Sequence, residues 1–112
     1  MIERTDCKCM TLPLDYGIRI LLPGGDRLNT DVTAGDVELF GCSMCGMKWL
    51  RHYDEWPAFS ESGRWHLAPV TDAELAQLHS TKDVLEFLHS RPWHFYGGSY
   101  FRTAGALAER KE

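Results

Sequence analysis

Apolar and polar positions alternate from Tyr16 through Ile18, Ile20 and Leu22, with Gly17, Arg19 and Leu21 between them. This period of two predicts a β-strand over 16–22, ended by Pro23-Gly24-Gly25-Asp26. A polar stretch with Gly35 follows, then a short strand over 37–41 that leads into Cys42. Residues 48–56 are aromatic-rich and extended; Pro57 and the run 60–63 break them, and 64–70 reads as the return strand. The spacing then becomes helical. Thr71 with Glu74 three residues on forms a capping box, in which each side chain satisfies the other's exposed backbone donor, and Leu75 and Leu78 follow at helical spacing. Ser80 with Asp83 opens a second helical segment or a kinked continuation carrying Val84, Leu85 and Leu88 on one side, and Pro92 stops it. Residues 93–104 return to aromatic strand character, with Gly24-Gly25 and Gly97-Gly98 read as turns and 109–112 as a frayed charged tail. The pattern predicts one α+β domain over 1–112, a small antiparallel sheet with one or two helices packed on it.

A chain of 112 residues buries about two thirds of its unfolded surface, so a cross-link or a metal would add usefully to its stability. Thirteen aromatic residues, four of them Trp, argue for a real core. No apolar run approaches the ~18 residues of a membrane span. The opening Met1-Ile2-Glu3-Arg4-Thr5-Asp6 has neither an apolar stretch nor a small-residue cleavage site. The expected compartment is a reducing cytoplasm, where thiols stay reduced or bind metal. The formal charge of -4 suits a soluble chain and disfavours one that lives on phosphate backbones.

All four cysteines fall into two tight pairs, Cys7-Lys8-Cys9 and Cys42-Ser43-Met44-Cys45, separated by 32 residues. Zinc takes four thiolates at about 2.3 Å in a tetrahedron, which sets the sulfurs roughly 3.7 Å apart. A Cys-x-x-Cys turn aims both thiols at one centre while nearby amides donate to sulfur, and Gly46 suits the positive φ of such a knuckle. In Cys-x-Cys, two side chains on one face of an extended strand would also converge. Two disulfides would require an oxidising compartment. A dithiol redox site at Cys42 and Cys45 lacks the strand-to-helix context and leaves Cys7 and Cys9 unexplained, and an iron–sulfur centre is disfavoured as well. The pairs point to one structural Zn²⁺ on Cys7, Cys9, Cys42 and Cys45, a zinc-ribbon-like site. Four cysteines close the shell, so this metal would do no chemistry.

The remaining residues point to no catalytic site. His52, His66, His79, His89 and His94 are scattered, although His52 and His66 could face each other on paired strands. No Gly-rich phosphate loop or nucleophile elbow occurs, nor any paired carboxylates whose context suggests acid–base roles, and the chain reads as a binding protein rather than an enzyme. Nine aromatics around Trp49, Trp65 and Trp93 could stack bases, but core packing explains them more simply, since basic residues are not interleaved among them densely enough for a nucleic-acid groove. Asp26, Asp31, Asp36 and Glu38 lie in a loop-rich stretch with Arg27 opposing, and Asp54 and Glu55 begin a second acidic group. These six acids are either a solvated face or, in the sharper reading, the candidate docking surface for a basic protein.

The order Cys-x-Cys, Cys42-Ser43-Met44-Cys45-Gly46 with Trp49-Leu50, then residues 59–65 (Phe-Ser-Glu-Ser-Gly-Arg-Trp) and Gly97-Gly98-Ser99-Tyr100-Phe101 resembles small bacterial immunity proteins of polymorphic-toxin and contact-dependent-inhibition systems. The resemblance implies a short cytoplasmic protein, often bearing a zinc ribbon, that binds and neutralises a cognate toxin domain. Many such toxins are basic nucleases, which would give the acidic residues a purpose. The alternative expectation is a zinc-ribbon nucleic-acid-binding module of a larger assembly.

Overall fold

In the computed structural model, which describes residues 6–11, 16–31, 35–54, 63–99 and 106–109, six strands join one antiparallel sheet in chain order. They are β1 (Arg19–Leu21), β2 (Asp36–Cys42), β3 (Lys48–Asp54), β4 (Gly63–Pro69), β5 (Trp93–Ser99) and β6 (Ala106–Glu109). Each strand pairs with its sequence neighbour. Two helices, α1 (Asp72–Ala76) and α2 (Thr81–Ser90), stand between β4 and β5. The fold is α+β, a small antiparallel sheet with two helices and a cluster of four cysteines.

Strand alternation gives the sheet two different faces. Val37, Leu39, Leu50 and Ala68 turn toward Val84, Phe87 and Leu88, and α2 packs across β2, β3 and β4. A 3-10 turn at Gly25–Leu28 adds Leu28 to this core, and Gly25 sits so close to β2 that a Cβ there would meet the Leu39 nitrogen at 3.2 Å. The opposite face carries Cys42, Trp49, Trp65, Leu67 and Phe95, packed with Cys9 and Met10. Burial of Trp49, Trp65 and Phe95 makes them core rather than a stacking platform.

The helix starts follow their sequence signals. Thr71 Oγ1 accepts from the Glu74 amide, and the Glu74 carboxylate accepts from the Thr71 amide. Ser80 Oγ accepts from the Asp83 amide. Burial works against ionisation of Glu74, but the Thr71 donors and Arg91, whose Nη1 lies 2.6 Å from the carboxylate, outweigh it and hold its pKa below the ordinary value. We predict that Thr71→Ala lowers stability by about 1 kcal/mol, seen as a lower urea midpoint at unchanged slope. An unmoved midpoint would mean that the Glu74–Arg91 pair holds α1 without the cap.

A buried hydroxyl ties α2 to the chain before β2. Thr81 Oγ1 donates to the Leu28 carbonyl at 2.8 Å and accepts from the Thr30 amide at 3.1 Å. Arg27 reaches across to the Leu75 and Leu78 carbonyls at 2.9 and 2.6 Å, satisfying the open end of α1. The acids around Arg27 are therefore not its partners in these bonds.

Two expectations need correction. The strand expected over 16–22 is a 3-10 turn at Tyr16–Ile18 followed by only three residues of β1. Ile20 and Leu21 are both exposed, so the apolar alternation there does not report burial. Gly97 and Gly98 are not a turn but lie within β5, opposite Trp65 and Arg64. Of the stretch expected over 93–104, Trp93–Ser99 forms β5, and Ala106–Glu109 pairs with it as β6. Residues 55–62, 100–105 and 110–112, where the chain break after Trp56 and the rest of the charged tail were expected, lie outside the described residues.

Candidate metal centre

The second cysteine pair occupies the hairpin between β2 and β3. Cys42 ends β2, its amide donates to the Met47 carbonyl at 2.9 Å, and its carbonyl accepts from the Gly46 amide at 2.9 Å. That tight reversal needs φ = +77° at Gly46, a conformation costly for residues with a Cβ. The turn aims backbone amides at sulfur, with the Met44 nitrogen 3.4 Å from Cys42 Sγ.

The first pair converges by a different route from the one expected. Cys7 is the extended residue before a 3-10 turn at Lys8–Met10, closed by the Met10 amide on the Cys7 carbonyl at 2.9 Å. The turn, not a strand face, brings Cys7 and Cys9 to the same side. The Ser43 amide donates to the Ile18 carbonyl at 2.8 Å, anchoring the hairpin to the chain just before β1.

Cys7 Sγ lies 3.6 Å from Cys42 Sγ, and Cys9 Sγ lies 3.6 Å from Cys45 Sγ. All four sulfurs fall within 4.8 Å of one another, and none of the four is in a disulfide. The 3.6 Å contacts match the roughly 3.7 Å edge of a tetrahedron built on ~2.3 Å metal–sulfur bonds. No family model, curated protein or solved structure matches the chain. The centre is therefore read from its own geometry, and these four cysteines could hold a metal ion.

The electrostatics agree with that reading. Burial raises the Cys42 pKa, but the Cys45 and Met44 amides and the neighbouring Cys7 and Cys45 thiols outweigh it and bring it down to about 7. Burial first, and then the Cys7, Cys45 and Cys42 sulfurs, push Cys9 strongly up. Burial also pushes Cys45 up, despite the Met47 amide. Four anionic sulfurs this close repel one another, and a bound cation reverses the balance by drawing the protons off. The hairpin continues into β3 rather than a helix, which removes the context of a dithiol redox turn.

The other candidate residues are distributed less simply. Asp26, Asp31 and Asp36 are exposed in the stretch around the Gly25–Leu28 turn and the start of β2. Asn29 bridges that stretch to β2, accepting from the Val37 amide at 2.7 Å and donating to its carbonyl at 3.0 Å. Glu38 is bound to Arg51 at 2.6 Å across the β2–β3 pair, so its charge is compensated. Asp54 is the last residue of β3, opposite Arg64, and Glu55 lies outside the described residues.

Sequence reading paired His52 with His66, and the β3–β4 register places them directly across from each other. It missed that two further histidines join them. His66 Nδ1 lies 3.4 Å from His94 Nε2, and the His89 ring centroid lies 5.3 Å from that of His66. The signal was present in the alternation of β5, where His94 shares a face with Tyr96 toward the helices, but it needed the pairing order to be read.

Burial, then His94, His89, His52 and Arg64, lower the His66 pKa from 6.5 to about 4. Burial and His89 also lower His94. The folded chain thus keeps His66 neutral where the unfolded chain takes up a proton. The stabilisation is complete above pH 6.5 and is lost as the pH falls toward about 4. For this half-buried ring the loss is on the order of 1 kcal/mol after screening by solvent. Urea melts at pH 7 and pH 4.5 should show it, and His66→Gln should be less acid-sensitive. Equal sensitivity in the variant would place the acid response in other groups.

Proposed function

We propose that the chain is a cytoplasmic immunity protein that binds and neutralises a cognate toxin domain, with one structural Zn²⁺ held by Cys7, Cys9, Cys42 and Cys45. The convergence of the four sulfurs carries this reading. Four protein ligands leave no open position for substrate, so the ion would staple the N-terminal cysteine turn to the β2–β3 hairpin. The biology then lies on the outer surface, and the chain is not an enzyme.

Two surface features support the partner. Ile20 and Leu21 are exposed on the edge strand β1, beside a shallow groove whose lining includes Leu22, Pro23, Asp26 and Leu39. Asp26 at this groove, together with Asp31 and Asp36 nearby in the chain, gives an apolar edge an acidic rim suited to a basic protein. The net charge of -4 disfavours the alternative of a nucleic-acid-binding zinc ribbon. Among the described residues no helix is long and apolar enough to cross a membrane.

Co-expression with the product of the adjacent gene should give a tight 1:1 complex and rescue growth. Asp31→Lys and Asp36→Lys should keep the fold and slow association by about tenfold at low salt, because rim charges act mainly on the on-rate. Equal on-rates for wild type and both variants would move the interface elsewhere. Absence of any partner at micromolar concentration, with no rescue, would end the immunity reading, and measurable RNA or DNA affinity at low salt would favour the alternative.

A further inference from the structure

A second cluster of ligating side chains lies on the helix-covered face of the sheet. His66 from β4 and His94 from β5 project from that face, and His89 projects from the last turn of α2. The two sheet histidines are partly buried, and His89 is exposed. His66 Nδ1 and His94 Nε2 stand 3.4 Å apart. Two nitrogens bound to one tetrahedral ion at ~2.0–2.1 Å stand about 3.3–3.4 Å apart. The His66 ring lies 5.3 Å from that of His89 and 5.4 Å from that of His94, centroid to centroid.

We infer that His66, His94 and His89 form a second site, for a divalent transition-metal ion of the kind that imidazole favours, such as Zn²⁺, Ni²⁺ or Cu²⁺. The strand register holds His66 and His94 together as a hydrogen-bonded pair that the ion would replace, and His89, whose ring nitrogens are not gathered with the other two at the tightness of the cysteine cluster, completes a three-nitrogen set by a side-chain rotation. The burial that keeps His66 and His94 neutral also leaves their nitrogens ready to coordinate without first losing a proton. Three protein nitrogens leave a coordination position for water, unlike the closed cysteine shell. The ion would tie the end of α2 to β4 and β5.

The test is calorimetric titration of the zinc-loaded chain with Ni²⁺. Wild type and His79→Gln, which lies outside the cluster, should each take up one further equivalent. His66→Gln and His94→Gln should lose that uptake. His89→Gln, at an exposed position that leaves the core intact, should weaken it at least tenfold and so tests the site even if the sheet variants fold poorly. No additional Ni²⁺ uptake by the wild type, or uptake unchanged in His89→Gln, would overturn the inference. Because these variants leave all four cysteines in place, loss of the second uptake is separable from any failure of the cysteine centre.

Discussion

Cys42→Ser should leave little folded protein, and what remains should melt at least 15 °C lower, a fall worth several kcal/mol for a domain of this size. Cys42 ends β2, its backbone closes the hairpin in both directions, and its sulfur is the one the Met44 and Cys45 amides favour as thiolate. Binding free energy at structural zinc sites reaches about 10–16 kcal/mol, comparable to or larger than the roughly 5–15 kcal/mol total stability of a domain. Cys45→Ser probes the same centre from an exposed position, where loss of packing is small. Unchanged melting of both variants, followed by circular dichroism, would show that the centre does not hold the fold together.

The second large effect is expected at Gly97. A Cβ there would come within 2.5 Å of two Trp65 ring carbons and 2.6 Å of its Nε1. Trp65 is 2% exposed and, among the described residues, its indole nitrogen has no hydrogen-bond partner, so close packing holds the ring. Gly97→Ala should therefore cost about 2–3 kcal/mol, near the upper range for overpacking, and lower the melting temperature by about 10 °C or more. The same change in a Trp65→Leu background should cost less than about 1 kcal/mol, because the obstructing ring is gone and the two sites are directly coupled. An equal cost in both backgrounds would mean that the backbone of β5, not the indole, excludes the methyl group.

Legibility of the fold tracked how local its determinants are. Capping at Thr71 and Ser80 depends on residues three positions apart, and both caps formed as read. The β3–β4 pairing followed from a break between two aromatic stretches. By contrast, β6 is built from Ala106, Leu107, Ala108 and Glu109, residues with no intrinsic strand preference, and the β5 edge determines their state. Gly97-Gly98 carried a turn-like composition although Gly97 makes room for an indole on a neighbouring strand, which no short window reveals.

The cysteine constellation was legible because ligand chemistry restricts spacing, although the 3-10 turn that makes Cys7 and Cys9 converge was not. Acidic side chains impose no such restriction. Reading them as one group placed Glu38 with Asp36, whereas the cross-strand register gives Glu38 to Arg51. The histidines show the same limit, since His66 and His94 meet only after β4 and β5 are paired.

Metal analysis of the purified chain, dialysed against a weak chelator and combined with a native-state thiol assay, tests the proposed staple most directly. One tightly retained zinc per chain, with four thiols that react only after denaturation or strong chelation, is the expected result. Metal-free, well-folded protein whose four thiols react at once would contradict it.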